Sequence, residues 1–447
     1  MPGLLPHPPV YVAARLPAGE RLTIDADLNK PIWKTVPWSR PFQDIRGKRD
    51  APSGSQPSAS SSTRVKMLWD ESYLYIAAEM RATDPILAFC TTRNQPIFHT
   101  DSDFEVFVDA AGCCHNYKEL EMNAINTVWN LMLSKPYNDG GEELSARVAA
   151  PGEPSYFEVH KQQTAARVVE GRLGGRNGPK NGQGNGDSGD DGGGRVARDG
   201  GEQRDGGSGG GGVGGGGAGG GSLGGGSGSD RAVSGGDRAV SGGVGGVWWV
   251  EVALSHEETV SFQPRAPLPR AGERWRINFS RVEKRGDVNW VWAPQIAWDA
   301  SARSFKGQVN MHLPESWGYV QFGDKRPGGE GEGEHQELVG EQVVGEGVVG
   351  EKAVADGVAD PLWPCRAAAA AVYYAQHEHR RRHGAFAPSA AALSPLLPPN
   401  ALTDGTLHLR VDLASETIFY ARVTNAKGDG VRVNDERLTE LVTSGES

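Results

Sequence analysis

Residues 99 to 109 read HTDSDFEVFVD, and their alternation decides the fold. In an extended chain, successive side chains point to opposite faces. Phe104, Val106 and Val108 therefore share one side, while Asp101, Asp103, Glu105, Phe107 and Asp109 share the other. The apolar side is expected to face a core and the acids to line an open or groove-forming face. There, ionised carboxylates accept hydrogen bonds from a ligand without the cost of full burial.

The same period of two recurs on both sides of this stretch. It is seen in RLTIDADL (21–28), RVKMLWD (64–70), SYLYIAAEM (72–80), YKELEMNAI (117–125), TVWNLML (127–133), WWVEVALS (248–255), RWRINFSRVE (274–283) and GYVQFG (318–323). Asp, Gly, Asn or Pro punctuates most gaps, and no long amphipathic helix intervenes. This pattern predicts an all-β fold, an antiparallel β-sandwich of jelly-roll type.

Low-complexity sequence interrupts the pattern twice. Residues 171–246 hold 36 glycines in 76 positions with almost no large apolar side chains, too few to offset the entropy of ordering. We read them as a disordered insertion between the strand-like runs YFEVHKQQTAARVVE and VWWVEVALS. Loop-closure entropy grows only logarithmically with length, so one sandwich is expected to span 20–325 across this gap. Residues 326–360 repeat a Val-Gly-Glu theme and read as an acidic linker. Within 361–447, LWPCRAAAAAVYYAQHEHRRRHG predicts a helix capped by glycine, and LHLRVDL with TIFYARVT predicts a hairpin.

Formal net charge is −10, but residues 330–360 carry nine acids against Lys352 alone, a net of −8. The remainder is nearly neutral, without the basic footprint of a nucleic-acid binder or a polybasic membrane patch. No apolar run is long enough to cross a bilayer as a helix, and the N-terminus lacks the layout of a signal peptide. The compartment stays open. Cys90, Cys113, Cys114 and Cys365 show neither paired zinc spacing nor a disulfide framework.

Hydrolysis by paired carboxylates needs two acids flanking a bond. Asp103 and Glu105, two residues apart on one strand, are about 7 Å apart but approach from the same side. A straight strand also cannot supply six to eight oxygens to calcium. Asp109 at the strand end and Asp84 in RATDPIL are better placed for calcium. Trp33, Trp69, Trp249 and Trp275 sit in strand patterns and read as core, whereas Trp290 and Trp292 in NWVWAPQ share one face beside a Pro-containing loop, as a binding platform would.

In order, LTIDADLNKPIWKTVPW, TRVKMLWDESYLYIAAEM, DSDFEVFVD, LEMNAINTVW, WVEVALS, RWRINFSRVE and WGYVQF resemble family 9 carbohydrate-binding modules and their free-standing relatives, over roughly residues 20 to 323 outside the glycine-rich insert. The resemblance implies a non-catalytic sandwich, related to DOMON domains, that holds an oligo- or polysaccharide by aromatic stacking and nearby polar groups. Any link to a glycoside hydrolase would be through a partner. It implies no certain cofactor, with calcium in a structural role. Glu105 falls where the family has a sugar-bonding glutamate and Asn123 where it has an asparagine, while Glu121 replaces a family arginine. The two sandwiching tryptophans correspond to His99 and to Met311 or His312, so stacking would fall to Trp129, Trp292 or Trp298. Arg93 or Arg281 would supply bidentate donors. Two other readings remain open: a haem-binding, DOMON-like redox sandwich using His99, Met311 and His312, and a structural protein-interaction module.

Overall fold

The computed structural model describes residues 3–171, 173–174, 245–324, 359–399 and 405–445. The disordered insertion read at 171–246 and the linker read at 326–360 lie, except for their ends, outside these residues. At the ends both boundaries run slightly too far. Leu173–Gly174 pairs in parallel with Ile86–Leu87, Gly246 already opens a strand, and Asp360 is ion-paired with Arg366 at 2.9 Å.

The sandwich is built from β1 (Val10–Arg15), β2 (Thr63–Trp69), β3 (Tyr73–Ala82), β4 (Asp103–Asp109), β5 (Tyr117–Asn123), β6 (Val128–Leu133), β7 (Gln163–Glu170), β8 (Gly246–Ser255), β9 (Arg274–Glu283), β10 (Val288–Val291) and β11 (Gly318–Phe322). One sheet runs β1-β11-β9-β4-β5-β6, with β10 paired to β9. The other runs β1-β2-β3-β8-β7. β1 belongs to both: Val10–Ala13 pair in parallel with β11, and Ala14 and Arg15 pair in parallel with β2. The other pairings among these strands are antiparallel, so the predicted sandwich stands with β1 as its one parallel member.

Alternation fixes what lies between the sheets. Phe104, Val106, Val108, Leu120 and Met122 from one sheet meet Val65, Met67, Ile76, Ala78, Val250 and Val252 from the other in a single core. Each large apolar side chain gains roughly 1.5–3 kcal/mol on leaving water, and that repeated gain sets which face turns inward. Trp33, Trp69 and Trp275 are core residues as predicted, while Trp249 is only half-buried.

RLTIDADL, expected as a strand, is not one. Ala26 adopts φ 57°, and the segment folds over β8 to satisfy Glu251, whose side chain has no exposed surface. The Glu251 carboxylate accepts from the amides of Asp25 (2.9 Å) and Ala26 (3.0 Å), from Lys30 Nζ (2.6 Å) and from Trp33 Nε1 (2.7 Å). A buried carboxylate requires such partners. The run before the insertion is likewise shorter than read, with only Gln163–Glu170 extended.

In the C-terminal region, α1 (Trp363–His383) carries Pro364 in its first turn and is capped by Gly384, whose φ of 79° lets its amide close on the Arg380 carbonyl at 2.8 Å. β12 (Leu407–Ala414) and β13 (Phe419–Asn425) form the expected hairpin, and β14 (Gly430–Asn434) and β15 (Thr439–Val442) extend it to four antiparallel strands. Ala368, Ala369 and Val372 pack beneath Phe419, Val423 and Val431, together with Trp298 of the sandwich. Arg437, 4% exposed, fastens this layer to the sandwich: its guanidinium reaches Asp139 at 2.9 Å and Glu315 at 2.7 Å, with Tyr373 and Tyr374 beside it. No helix among the described residues is long and apolar enough to cross a membrane.

Candidate functional site

Register brings the acids of β4 and β5 together. Glu105 lies opposite Glu121, Phe107 opposite Glu119, and Asp103 opposite Asn123. Across the next ladder Glu121 faces Trp129 and Glu119 faces Leu131. All of these share the face that points away from the main core. The expectation that this face is open is corrected: Asp103 has no exposed surface, and Glu105 and Glu121 are 4% and 1% exposed. Phe107, Tyr117, Trp129, Leu131 and Leu133 lie on the same face and need cover. Ile97, Met311 and Trp317, from the loops before β4 and β11, close over them as a second core.

One ligand atom from each of Asp103, Glu105 and Glu121 lies within 4.8 Å of the others, so the three could hold a metal ion. Met122 donates its amide to Asp103 Oδ1 (3.1 Å) and Phe98 donates its amide to Glu121 Oε2 (3.3 Å). No ion pair among the described residues reaches these three or Glu119; Arg147, over the Trp129 ring, is paired with Glu143. Burial pushes the Glu105 carboxyl up to about 7. Burial, then repulsion from neighbouring carboxylates, raises Asp103, Glu119 and Glu121 well above the usual range. His312 is held neutral, near 4, by burial.

The residues predicted to touch a sugar do not form one site. Asn123 is fully occupied: its amide donates to Cys90 O (2.9 Å) and Asp101 Oδ2 (2.7 Å), and its oxygen accepts from the amides of Ile125 and Thr127. Trp292 is 1% exposed and packs on Phe279 within the main core, so it cannot stack on a ligand. Trp129 is 5% exposed. Arg93 is on the surface, paired with Glu158 at 2.8 Å. His99 is exposed beside Phe98, whereas His312 meets the Tyr117 hydroxyl at 3.1 Å and Met311 packs in the second core. That geometry lends no support to haem ligation.

The calcium pair is also separated. Asp84 meets Lys284 at 3.2 Å, just beyond the Glu283 end of β9, while Asp109 lies opposite Arg276 near its start. Roughly 25 Å of strand intervenes at about 3.4 Å per residue, so the two cannot share an ion. Asp109 instead accepts from the Cys114 amide (2.7 Å) and Gln263 Nε2 (2.8 Å).

An open space does exist elsewhere. A cleft of 370 Å³ lies where the segment carrying Asp44 and Gln56 meets β9 and β10, and its walls include Trp290, Asn289, Arg281 and Glu283. Trp290 is anchored by its indole N–H to Ser55 O (2.8 Å), and the Arg281 guanidinium lies 5.3 Å from its ring. Arg281 is itself fixed by Glu283 (2.6 Å) and by the carbonyls of Ser61 and Arg81. The Gln56 Nε2 group is buried without a partner. Sequence pattern marked Trp290 but gave no signal for Asp44, which sits in a two-residue strand paired antiparallel with Trp290, or for Gln56, which lies in the irregular segment that follows.

The chain matches no protein-family model and no curated protein. Among solved structures it is similar to a family 9 carbohydrate-binding module from Caldicellulosiruptor kristjanssonii in complex with cellotriose, at 10% identity, 72% coverage of this chain and 98% of that one, with TM-score 0.32. The same organism's family 9 module in complex with glucose matches at 10% identity, 73% and 100% coverage, and TM-score 0.32. A Bacteroides uniformis protein to which carbohydrate binding is ascribed matches at 10% identity, 70% and 99% coverage, and TM-score 0.37. At such scores the likeness bears on neither ligand nor site.

Proposed function

We propose that the sandwich binds carbohydrate without catalysis, taking a short saccharide in the cleft beside Trp290. The observation that carries this reading is the composition of the cleft. An anchored indole stands among carboxylate, amide and guanidinium groups, around a space within the roughly 300–1,000 Å³ range of small-molecule sites. An indole offers an apolar plane to the C–H face of a pyranose, and mixed donors and acceptors suit its hydroxyls. Gln56 Nε2, a buried donor with no partner, gains an acceptor when a hydroxyl enters.

Asp44, a buried cleft carboxylate, is not a free proton donor. Burial opposes ionisation of Asp44, but the hydrogen bonds from Arg46 prevail and hold it below the usual carboxylate range. Glu283 is paired with Arg281. A glycosidase acid needs the opposite, a raised pKa beside the scissile bond, so binding rather than hydrolysis is the chemistry this cleft supports.

Calorimetric titration of the full chain with glucose, cellobiose, xylobiose and a wider set of oligosaccharides tests this. Saturable binding is expected, weakened roughly tenfold or more, about 1.4 kcal/mol, by Trp290→Ala and by Gln56→Ala. Glu105→Gln is expected to bind as the parent does. No binding to any saccharide, or binding unchanged in both cleft variants, would overturn the reading.

A further inference from the structure

We propose that Asp103, Glu105 and Glu121 bind one hard divalent cation of the calcium class beneath the loops that cover β4 and β5. This inference is independent of the saccharide cleft, with which it shares no residue. Calcium–oxygen distances are about 2.3–2.6 Å, so ligands on opposite sides of one ion stand about 5 Å apart. The trio, with its ligand atoms within 4.8 Å of one another, already has that span without any change in backbone.

A cluster of acids alone would be weak evidence. Here a fourth carboxylate, Glu119, 6% exposed, hydrogen-bonds Glu121 and has Oε2 buried without a partner. Asp103 Oδ2 and Glu105 Oε2 are in the same condition. Unpaired buried oxygens carry a desolvation cost that a cation at their common centre removes. Shared protons are the competing arrangement, since Asp103 hydrogen-bonds Glu105 and Glu119 hydrogen-bonds Glu121, and the ion-free variant described below separates the two. The trio itself offers oxygen only, with neither histidine nor cysteine, which selects calcium, magnesium or manganese over zinc or copper. Glu105 and Glu121 face each other across a ladder, so the ion would lock β4 to β5. The amides of Met122 and Phe98 already hold one oxygen each of Asp103 and Glu121, pre-orienting both.

The test uses the full chain stripped with chelator, titrated with calcium by calorimetry and with terbium by luminescence. Trp129, opposite Glu121, serves as the antenna. One ion per chain is expected, and calcium should raise the melting temperature. The double variant Asp103→Asn/Glu121→Gln should bind roughly tenfold or more weakly and lose the calcium-dependent shift. Without ion, that variant should melt at or above the parent, because repelling charges are gone while size and shape are kept. No saturable binding up to about 10 mM, beyond the weakest class of protein calcium sites, would overturn the inference. So would undiminished binding by the variant, or an ion-free variant melting well below the parent, which would mean that shared protons hold the group together.

Discussion

Replacing Arg437 with methionine removes the one cation from a buried group that contains Asp139 and Glu315. The Asp139 and Glu315 side chains are 3% and 10% exposed, and Arg437 Nε and Nη1 approach them at 2.9 and 2.7 Å. Tyr374 donates its hydroxyl to Glu315 at 2.6 Å and accepts from Nη1 at 3.1 Å, and Tyr373 donates to Asp139. Methionine keeps much of the packing volume, so the expected cost is electrostatic. Breaking a buried pair by removing one partner costs about 3–5 kcal/mol, and two stranded carboxylates put this case at the upper end. Because these contacts join the helix-and-sheet layer to the sandwich, proteolysis should then cut within residues 361–447 first. Unfolding should be followed by denaturant titration with two spectroscopic probes, which separate a layer that unfolds on its own from one that unfolds with the sandwich. Adding Asp139→Asn and Glu315→Gln to the Arg437→Met background should recover most of the loss. A cost below about 1 kcal/mol for Arg437→Met, or no recovery in the triple variant, would refute this account of how the layer is held.

Two further outcomes follow from buried polar groups. Glu251→Ala should cost about 3 kcal/mol or more, because it leaves the Trp33 indole and two backbone amides without their acceptor and reduces Lys30 to Asp25 and the Thr23 carbonyl; a melting temperature within a degree or two of the parent would refute this. His256 packs edge-on against Trp275 and Phe322, and burial lowers it to about 4 despite the opposing charges of Asp70 and Glu71. A histidine with a depressed folded pKa binds fewer protons folded than unfolded. Stability is therefore lost as pH falls from about 6.5 towards 4, by up to about 3 kcal/mol. The pH slope across this range should fall in His256→Gln, with His312 supplying a remainder of the same sign, and an unchanged slope would remove His256 from the explanation.

The strands were legible where one face alternates or a whole run is apolar. Arg274–Glu283 matches its sequence reading residue for residue, and Asp103–Asp109 is the strand within the stretch 99–109. RLTIDADL alternates equally well, but its amides are claimed by Glu251 more than two hundred residues away, a pairing no local pattern contains. The closed acidic face was partly foreseeable. TVWNLML carries apolar side chains on both faces, broken within the strand only by Asn130, which signals burial on both sides, and Leu131 stands directly across from Glu119. Reading Asp103 and Glu105 in isolation missed that their neighbours Phe107, Trp129 and Leu133 would draw loops over the same surface. The cleft was the least legible feature, because Asp44 is set opposite Trp290 by a two-residue strand pairing and Gln56 arrives on the segment that follows, neither of which a motif marks.

The double membership of β1 also governs the order of assembly. Its outer half has no partner until β11 emerges some 300 residues later. At about 5–20 residues per second, synthesis of that stretch takes roughly 15–60 s. Throughout this interval β2 and β3 can pair with each other, while the edge that awaits β11 stays open to other chains. The sheets of this sandwich thus close late and through distant contacts, which favours slow folding and makes the nascent chain, rather than the finished protein, the stage most exposed to misassembly.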